Sequence, residues 1–128
     1  MKKRKIKVTI MKEETGYSAY ATVGTKFVST QGETLRELKS NMLDATKLSF
    51  KGEGKILFEF AFTYDLESFF SLYNVINAKA LSERIGMNQS LLAQYIKGIK
   101  KPSAQQTKKI LMGVKEVGEE LAKVEFVI

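Results

Sequence analysis

Gln89, Ser90, Leu91 and Gln94 fall within one short stretch, with Asn88 just before them and Lys97, Lys100 and Lys101 just after. Glutamine carboxamides can form paired hydrogen bonds with adenine, and a leucine methyl can touch the methyl group of thymine. Lysines beyond them would neutralise phosphates, strengthening binding and fixing register without reading sequence. Lys79 adds a cation a few residues upstream. These nine side chains form a candidate site for recognition of duplex DNA rather than for bond-making. The chain has no histidine and no cysteine, so histidine general bases, serine or cysteine triads that use histidine, and the usual zinc sites are excluded. Two-metal nuclease chemistry needs several gathered carboxylates. The only aspartates are Asp44 and Asp65, while Glu13, Glu14, Glu33 and Glu37 fall in turns or at a helix start. Glu59 is the lone acid in its strand and reads as a solvent-face residue. We expect no enzyme activity, no catalytic residue, no metal and no cofactor.

The elements around the glutamines are those that could hold them outward. Asn77 is a suitable N-cap for a helix over Ala78–Arg84, and Gly86 can end it by adopting positive φ without a Cβ clash. Asn88 can cap a second helix. Leu81, Ile85, Met87, Leu92 and Tyr95 occupy positions that such a pair would bury, leaving Gln89, Ser90, Leu91 and Gln94 on the opposite face. This reads as a helix-turn-helix, a unit that offers the start of its second helix to the major groove. The alternative is two amphipathic helices whose glycine is only a cap. The charge distribution favours the first reading. The whole chain carries a net +7 with pI near 9.5, yet from Lys79 to Lys109 seven basic residues stand against Glu83 alone. Gly98 ends the second helix, and Ser103 caps another beyond the Lys97–Lys101 loop.

The first half is strand-like. Ile6, Val8 and Ile10 alternate with Lys5, Lys7 and Thr9, and Tyr17 to Val23 alternates similarly after a turn at Glu13–Gly16. A second turn at Gly24–Lys26 leads to a short strand over Phe27–Thr30. Thr34 can start a helix whose apolar positions are Leu35, Leu38, Met42, Leu43 and Leu48. The alternation of Ile56, Phe58, Phe60, Phe62 and Tyr64 is the clearest strand, and its aromatics are expected on one face beneath the helix rather than as a base-stacking platform. The pattern turns helical near Asp65. We therefore expect an α+β protein, with a βββαβ sheet-and-helix domain over residues 1–64 and an all-helical helix-turn-helix domain over 65–128. Halves of this size bury only about 60% of their unfolded surface, so self-association would help both.

After Ser103, Ile110, Leu111, Val114, Val117, Leu121 and Val124 recur at threes and fours, predicting a long amphipathic helix. Part of it should close the helix-turn-helix core, and the part from Val117 could pair with a second subunit, because such readers contact two half-sites about one DNA turn apart; the alternative is a purely intramolecular role. Val124–Ile128 is expected to add an edge strand. No apolar run approaches the roughly 20 residues needed to span a bilayer. Beyond the basic start Met1–Lys5, further charges break up the chain before any apolar signal segment forms, so no membrane association and a cytoplasmic location are expected.

The Gly86-Met87-Asn88-Gln89-Ser90 turn and the Lys97-Gly98-Ile99-Lys100-Lys101-Pro102-Ser103 tail resemble the phage-repressor and Cro-like helix-turn-helix family, over roughly Leu66 to Gly113. Thr15-Gly16-Tyr17-Ser18-Ala19-Tyr20, Ser29 to Leu38 and Asn41 resemble the HicB antitoxin family, which joins a degraded ribonuclease-H-like βββαβ domain to a DNA-binding tail. That resemblance implies a type II toxin–antitoxin partner: a small HicA-like toxin that cleaves messenger RNA and is blocked through its active-site histidine. It also implies autoregulation, with a homodimer or higher even oligomer sitting on its own operator. The alternative is a stand-alone transcriptional repressor whose first domain senses a ligand or drives assembly.

Overall fold

The computed structural model describes all residues from Met1 to Ile128. The protein is α+β, with four strands and five helices in the order β1 (Lys2–Lys12), β2 (Tyr17–Val23), β3 (Lys26–Gly32), α1 (Leu35–Ser49), β4 (Ile56–Tyr64), α2 (Leu66–Leu72), α3 (Ala78–Ile85), α4 (Gln89–Ile96) and α5 (Ala104–Ala122). The chain divides into two compact units, Met1–Tyr73 and Asn74–Ile128. The division falls after α2 rather than at the expected 64/65 boundary. Asp65 caps α2 by accepting from the Ser68 backbone N–H, and the Ser68 hydroxyl in turn accepts from the Lys12 backbone N–H at 2.7 Å. Tyr17 and Ser71 share a further hydroxyl hydrogen bond at 2.6 Å. These links between α2 and the sheet involve residues far apart in sequence, which hydropathy patterning does not register.

The first unit is a mixed sheet in the order β3-β2-β1-β4, with β2 antiparallel to both β1 and β3 and with β4 parallel to β1. The parallel pairing reflects the α1 crossover, since a helix between two strands returns the chain to the same end of the sheet. Ile6, Val8 and Ile10 alternate onto one face, where they meet Ala19, Ala21, Val28, Leu38 and Met42 in a single buried cluster. Thr34 caps α1 through its hydroxyl, which accepts from the Glu37 backbone N–H. The third strand runs on to Gly32, past the expected end at Thr30. A Cβ on Gly32 would come within 2.8 Å of the Leu38 backbone nitrogen, so a side chain there would hold α1 off the sheet.

Two expectations need correction. Leu48 does not belong to the buried stripe and is 72% exposed. The stripe runs instead through Leu38, Met42 and Thr46 at intervals of four residues, with the Thr46 hydroxyl donating to the Met42 carbonyl. A threonine whose hydroxyl is satisfied within its own helix can thus hold a core position. The strand aromatics do share the covered face, in register with Arg4, Ile6, Val8 and Ile10, but α1 lies chiefly over β2 and β3. Phe58, Phe60, Phe62 and Tyr64 on edge strand β4 therefore remain half-buried. The Lys39 ammonium sits 4.7 Å from the Phe62 ring centre, and Phe50 packs against Phe58 at a centroid distance of 5.4 Å.

The second unit consists of α3, α4 and α5. Residues 124–128 form no strand, against expectation, and all are exposed, Phe126 at 87%. No helix is long and apolar enough to cross a membrane. The close approach at Gly32 predicts that Gly32→Ala destabilises the first unit by about 1–3 kcal/mol, as overpacking does. Urea denaturation followed by circular dichroism should show a lower midpoint than for Gly24→Ala, where open space surrounds the added carbon and only the cost of positive φ applies.

Candidate nucleic-acid interface

Each helix of the second unit begins with a side-chain cap. Asn77 accepts from the Ala80 backbone N–H, Asn88 from Leu91 and Ser103 from Gln106, all at 3.0–3.1 Å. Between α3 and α4 the chain turns at Gly86, with φ 67° and ψ 37°. This is the left-handed region that L side chains enter at a cost. The Met87 backbone N–H then donates to the Ser82 carbonyl at 2.8 Å, closing the C-terminal end of α3. The bend exists because Leu81, Met87, Leu92, Tyr95 and Ile110 are all buried, which a single straight rod through residue 86 could not achieve. Ser82 is buried too, its hydroxyl donating to the Lys79 carbonyl at 2.6 Å.

The third helix packs close behind the first of the unit. Gly113 is buried, and a Cβ there would overlap the Ile85 Cγ2. At the surface, the Arg84 guanidinium donates to a Glu120 carboxylate oxygen at 2.6 Å. That hydrogen bond, reinforced by the charge of Glu120, raises the Arg84 pKa above its ordinary value. The Lys109 ammonium donates to the Gly86 carbonyl at 3.4 Å, so this lysine is engaged with the turn between α3 and α4.

Gln89 and Ser90 are exposed in the first turn of α4, while Leu91 and Gln94 are half-buried. Lys97, Lys100 and Lys101 are exposed at and beyond the end of the helix. Ser90, Gln94 and Lys97 lie at i, i+4 and i+7, which aligns them in one stripe on the side away from Leu92 and Tyr95. Gln89 and Leu91 flank that stripe on opposite sides. Lys79 is exposed on the neighbouring helix, four residues before Glu83 on the same surface. Asn88 is exposed, but its carboxamide oxygen is committed to the cap.

Sequence reasoning missed two features here. Ala93 is half-buried beside the stripe, and its small side chain allows close approach to the α4 backbone. Ser103, Gln105, Gln106, Lys108, Lys109 and Met112 line a shallow depression along the first turns of α5. Its polar residues were visible as a run, but only helical spacing gathers them into one concavity. No group of three or more acidic, histidine or cysteine side chains is placed to hold a metal ion.

The chain matches no family profile, no curated protein and no solved structure. The cap geometry gives a direct check on α4. Replacing Asn88 with alanine should cost about 1 kcal/mol of stability. Asn88→Asp should restore the loss, because a carboxylate both caps the helix and complements its dipole. Thermal unfolding of the three proteins followed by circular dichroism would test this ordering.

Proposed function

We propose that the protein is a sequence-specific DNA-binding repressor, with α3 and α4 acting as a helix-turn-helix and α4 as the reading helix. The observation that carries the reading is the outward stripe of Ser90, Gln94 and Lys97, flanked by Gln89 and Leu91 and continued by the exposed lysine loop. The eight residues of α4 make it about 12 Å long, comparable to the width of the major groove at about 12 Å. In this reading Gln89 and Gln94 hydrogen-bond adenine edges, Leu91 touches a thymine methyl, and Ser90 meets either a base edge or a phosphate. Lys97, Lys100 and Lys101 hold phosphates, with Lys79 adding a further contact from α3. Asn88 serves the interface by capping the helix that enters the groove. The site needs no metal or cofactor and carries out no catalysis.

We further propose that the first unit is a HicB-like domain that neutralises a small HicA-like toxin, making the whole an autoregulating, cytoplasmic antitoxin. The support is the order of three strands, one helix and a fourth strand, which the sequence resemblance implies. The alternative, a stand-alone repressor with a ligand-sensing or assembly domain, differs in its partner. Co-purification from native cells with mass spectrometry of the bound material should recover a very small, basic, histidine-containing protein under the first reading and none under the second. Assembly as a homodimer is supported by the exposed apolar residues Leu121, Val124, Phe126, Val127 and Ile128 at the end of the second unit.

In vitro selection from random duplexes should yield a preferred operator. Gln89→Ala with Gln94→Ala should then lose about 1–3 kcal/mol of discrimination per residue while keeping weak, salt-sensitive binding. Lys100→Ala with Lys101→Ala should instead weaken binding on all sequences and flatten the plot of log affinity against log salt by about 2. Full selectivity in the glutamine variant, measured by fluorescence anisotropy, would reject this assignment of the reading face.

A further inference from the structure

Within the first unit, the helices pack on only one face of the sheet. Alternation places Lys3, Lys5, Lys7 and Thr9 of β1 on the other face, together with Ser18, Tyr20 and Thr22 of β2. Phe27 of β3 belongs to that face as well, because it pairs with Thr22 in the β2–β3 ladder. Tyr20 and Phe27 stack diagonally across the hairpin with ring centroids 6.2 Å apart and planes inclined by 29°. They are nonetheless 39% and 65% exposed. Pairing of the strands accounts for some contact between the rings, but not for leaving a phenylalanine two-thirds open to solvent beside lysines.

The charges on this face favour one sign. Lys3 pairs with Glu59 across the β1–β4 ladder at 2.9 Å, which occupies the one acidic side chain that β4 presents here. Lys5 stands opposite Glu59 in that ladder, but the carboxylate pairs with Lys3, and Lys7 makes no ion pair; the other acid at this face, Glu13, accepts from the Ser18 hydroxyl at its far end. Neighbouring strands lie about 4.8 Å apart and same-face residues about 7 Å apart along a strand; with Tyr20 opposite Thr9 at the end of the β1–β2 pairing, Lys7 and Lys5 follow at about 8 and 14 Å from it. A surface combining ring faces with cations at these separations matches a polymer that carries an aromatic base and a phosphate in each unit.

We propose that this open sheet face binds single-stranded nucleic acid, with Tyr20 and Phe27 stacking on unpaired bases and Lys5 and Lys7 holding the adjacent phosphates. Duplex DNA does not fit, because its bases are stacked on one another and cannot offer their faces to the rings. An apolar protein surface would have to desolvate Lys5 and Lys7 without pairing them. The site is separate from the α4 reading surface and does not depend on the repressor proposal.

The test uses the full chain and fluorescein-labelled oligo(rU), oligo(dT) and a random-sequence duplex, read by anisotropy. Tyr20→Thr with Phe27→Thr should weaken single-strand binding tenfold or more, since each lost stacking partner accounts for about 5- to 150-fold, while duplex binding is unchanged. Swapping the rings, Tyr20→Phe with Phe27→Tyr, should retain single-strand affinity and controls for any folding defect in the threonine variant. Lys5→Gln with Lys7→Gln should flatten the single-strand salt slope by about 1.4. Tighter binding of oligo(rU) than of oligo(dT) would assign the site to RNA, and the reverse to DNA; equal binding would make it a platform for either. The proposal is overturned if the native chain binds neither oligomer, or if the threonine variant binds them as the native chain does. It is also overturned if that variant changes only self-association in sedimentation.

Discussion

The geometry of the candidate reading surface depends on one packing constraint: Leu81, Met87, Leu92, Tyr95 and Ile110 must all be buried within a unit of three helices. Leu81 and Leu92 lie on helices of eight residues each, too short to be stable alone in water. Their helical state therefore comes from this shared burial. The left-handed backbone at Gly86 is what lets both helices reach the core, and the Asn88 cap satisfies the first amides of α4 after the turn. Once Leu92 and Tyr95 point inward, the helical period leaves Ser90, Gln94 and Lys97 outward. The outward stripe is thus a consequence of where the core lies.

Gly113 extends this constraint to α5. With no side chain there, the helix can approach Ile85 closely, and Ile110 enters the common core one turn earlier. Arg84 and Glu120 are joined at the surface, where an exposed ion pair contributes little compared with buried apolar area. Its role is to register α5 along α3 rather than to hold the two together. The loop of Lys100 and Lys101 is tethered at each end, by Ile99 N–H donating to the Gln94 carbonyl at 2.9 Å and by the Ser103 cap. The backbone that carries its lysines is accordingly anchored to the end of α4 and the start of α5.

Local signals were legible in the sequence to the extent that local physics decided them. Thr34, Asn77, Asn88 and Ser103 are caps in the structure because capping needs only one side-chain oxygen and an amide two or three residues ahead. The alternation of Ile6, Val8 and Ile10 likewise predicts a strand with one buried face. What failed depends on distant residues. The allegiance of α2 to the sheet rests on contacts with Lys12 and Tyr17, more than fifty positions away in sequence. Hydropathy alone also points to Leu48, apolar and near the right spacing, over Thr46, polar but at the right spacing and buried. Val124–Ile128 has the composition of a strand, yet no partner strand lies alongside it. In the candidate site, exposure of Gln89 and the lysines could be read from spacing, while the commitment of Lys109 to the Gly86 carbonyl could not.

Under the repressor reading, magnitudes decide how many copies must act together. A helix the length of α4 presents two carboxamides and one leucine to base edges, and at about 1–3 kcal/mol per good contact these give about 3–9 kcal/mol of discrimination. Specific sites typically exceed non-specific binding by about 4–10 kcal/mol, so a single copy covers much of that range only if each contact is near its best and falls short of the top of it. Additional lysines cannot close the gap, because phosphate contacts raise specific and non-specific affinity together. A second copy on a second half-site doubles the discriminating contacts without changing α4. The exposed Leu121 and the apolar residues beyond it are the surface that such self-association would cover.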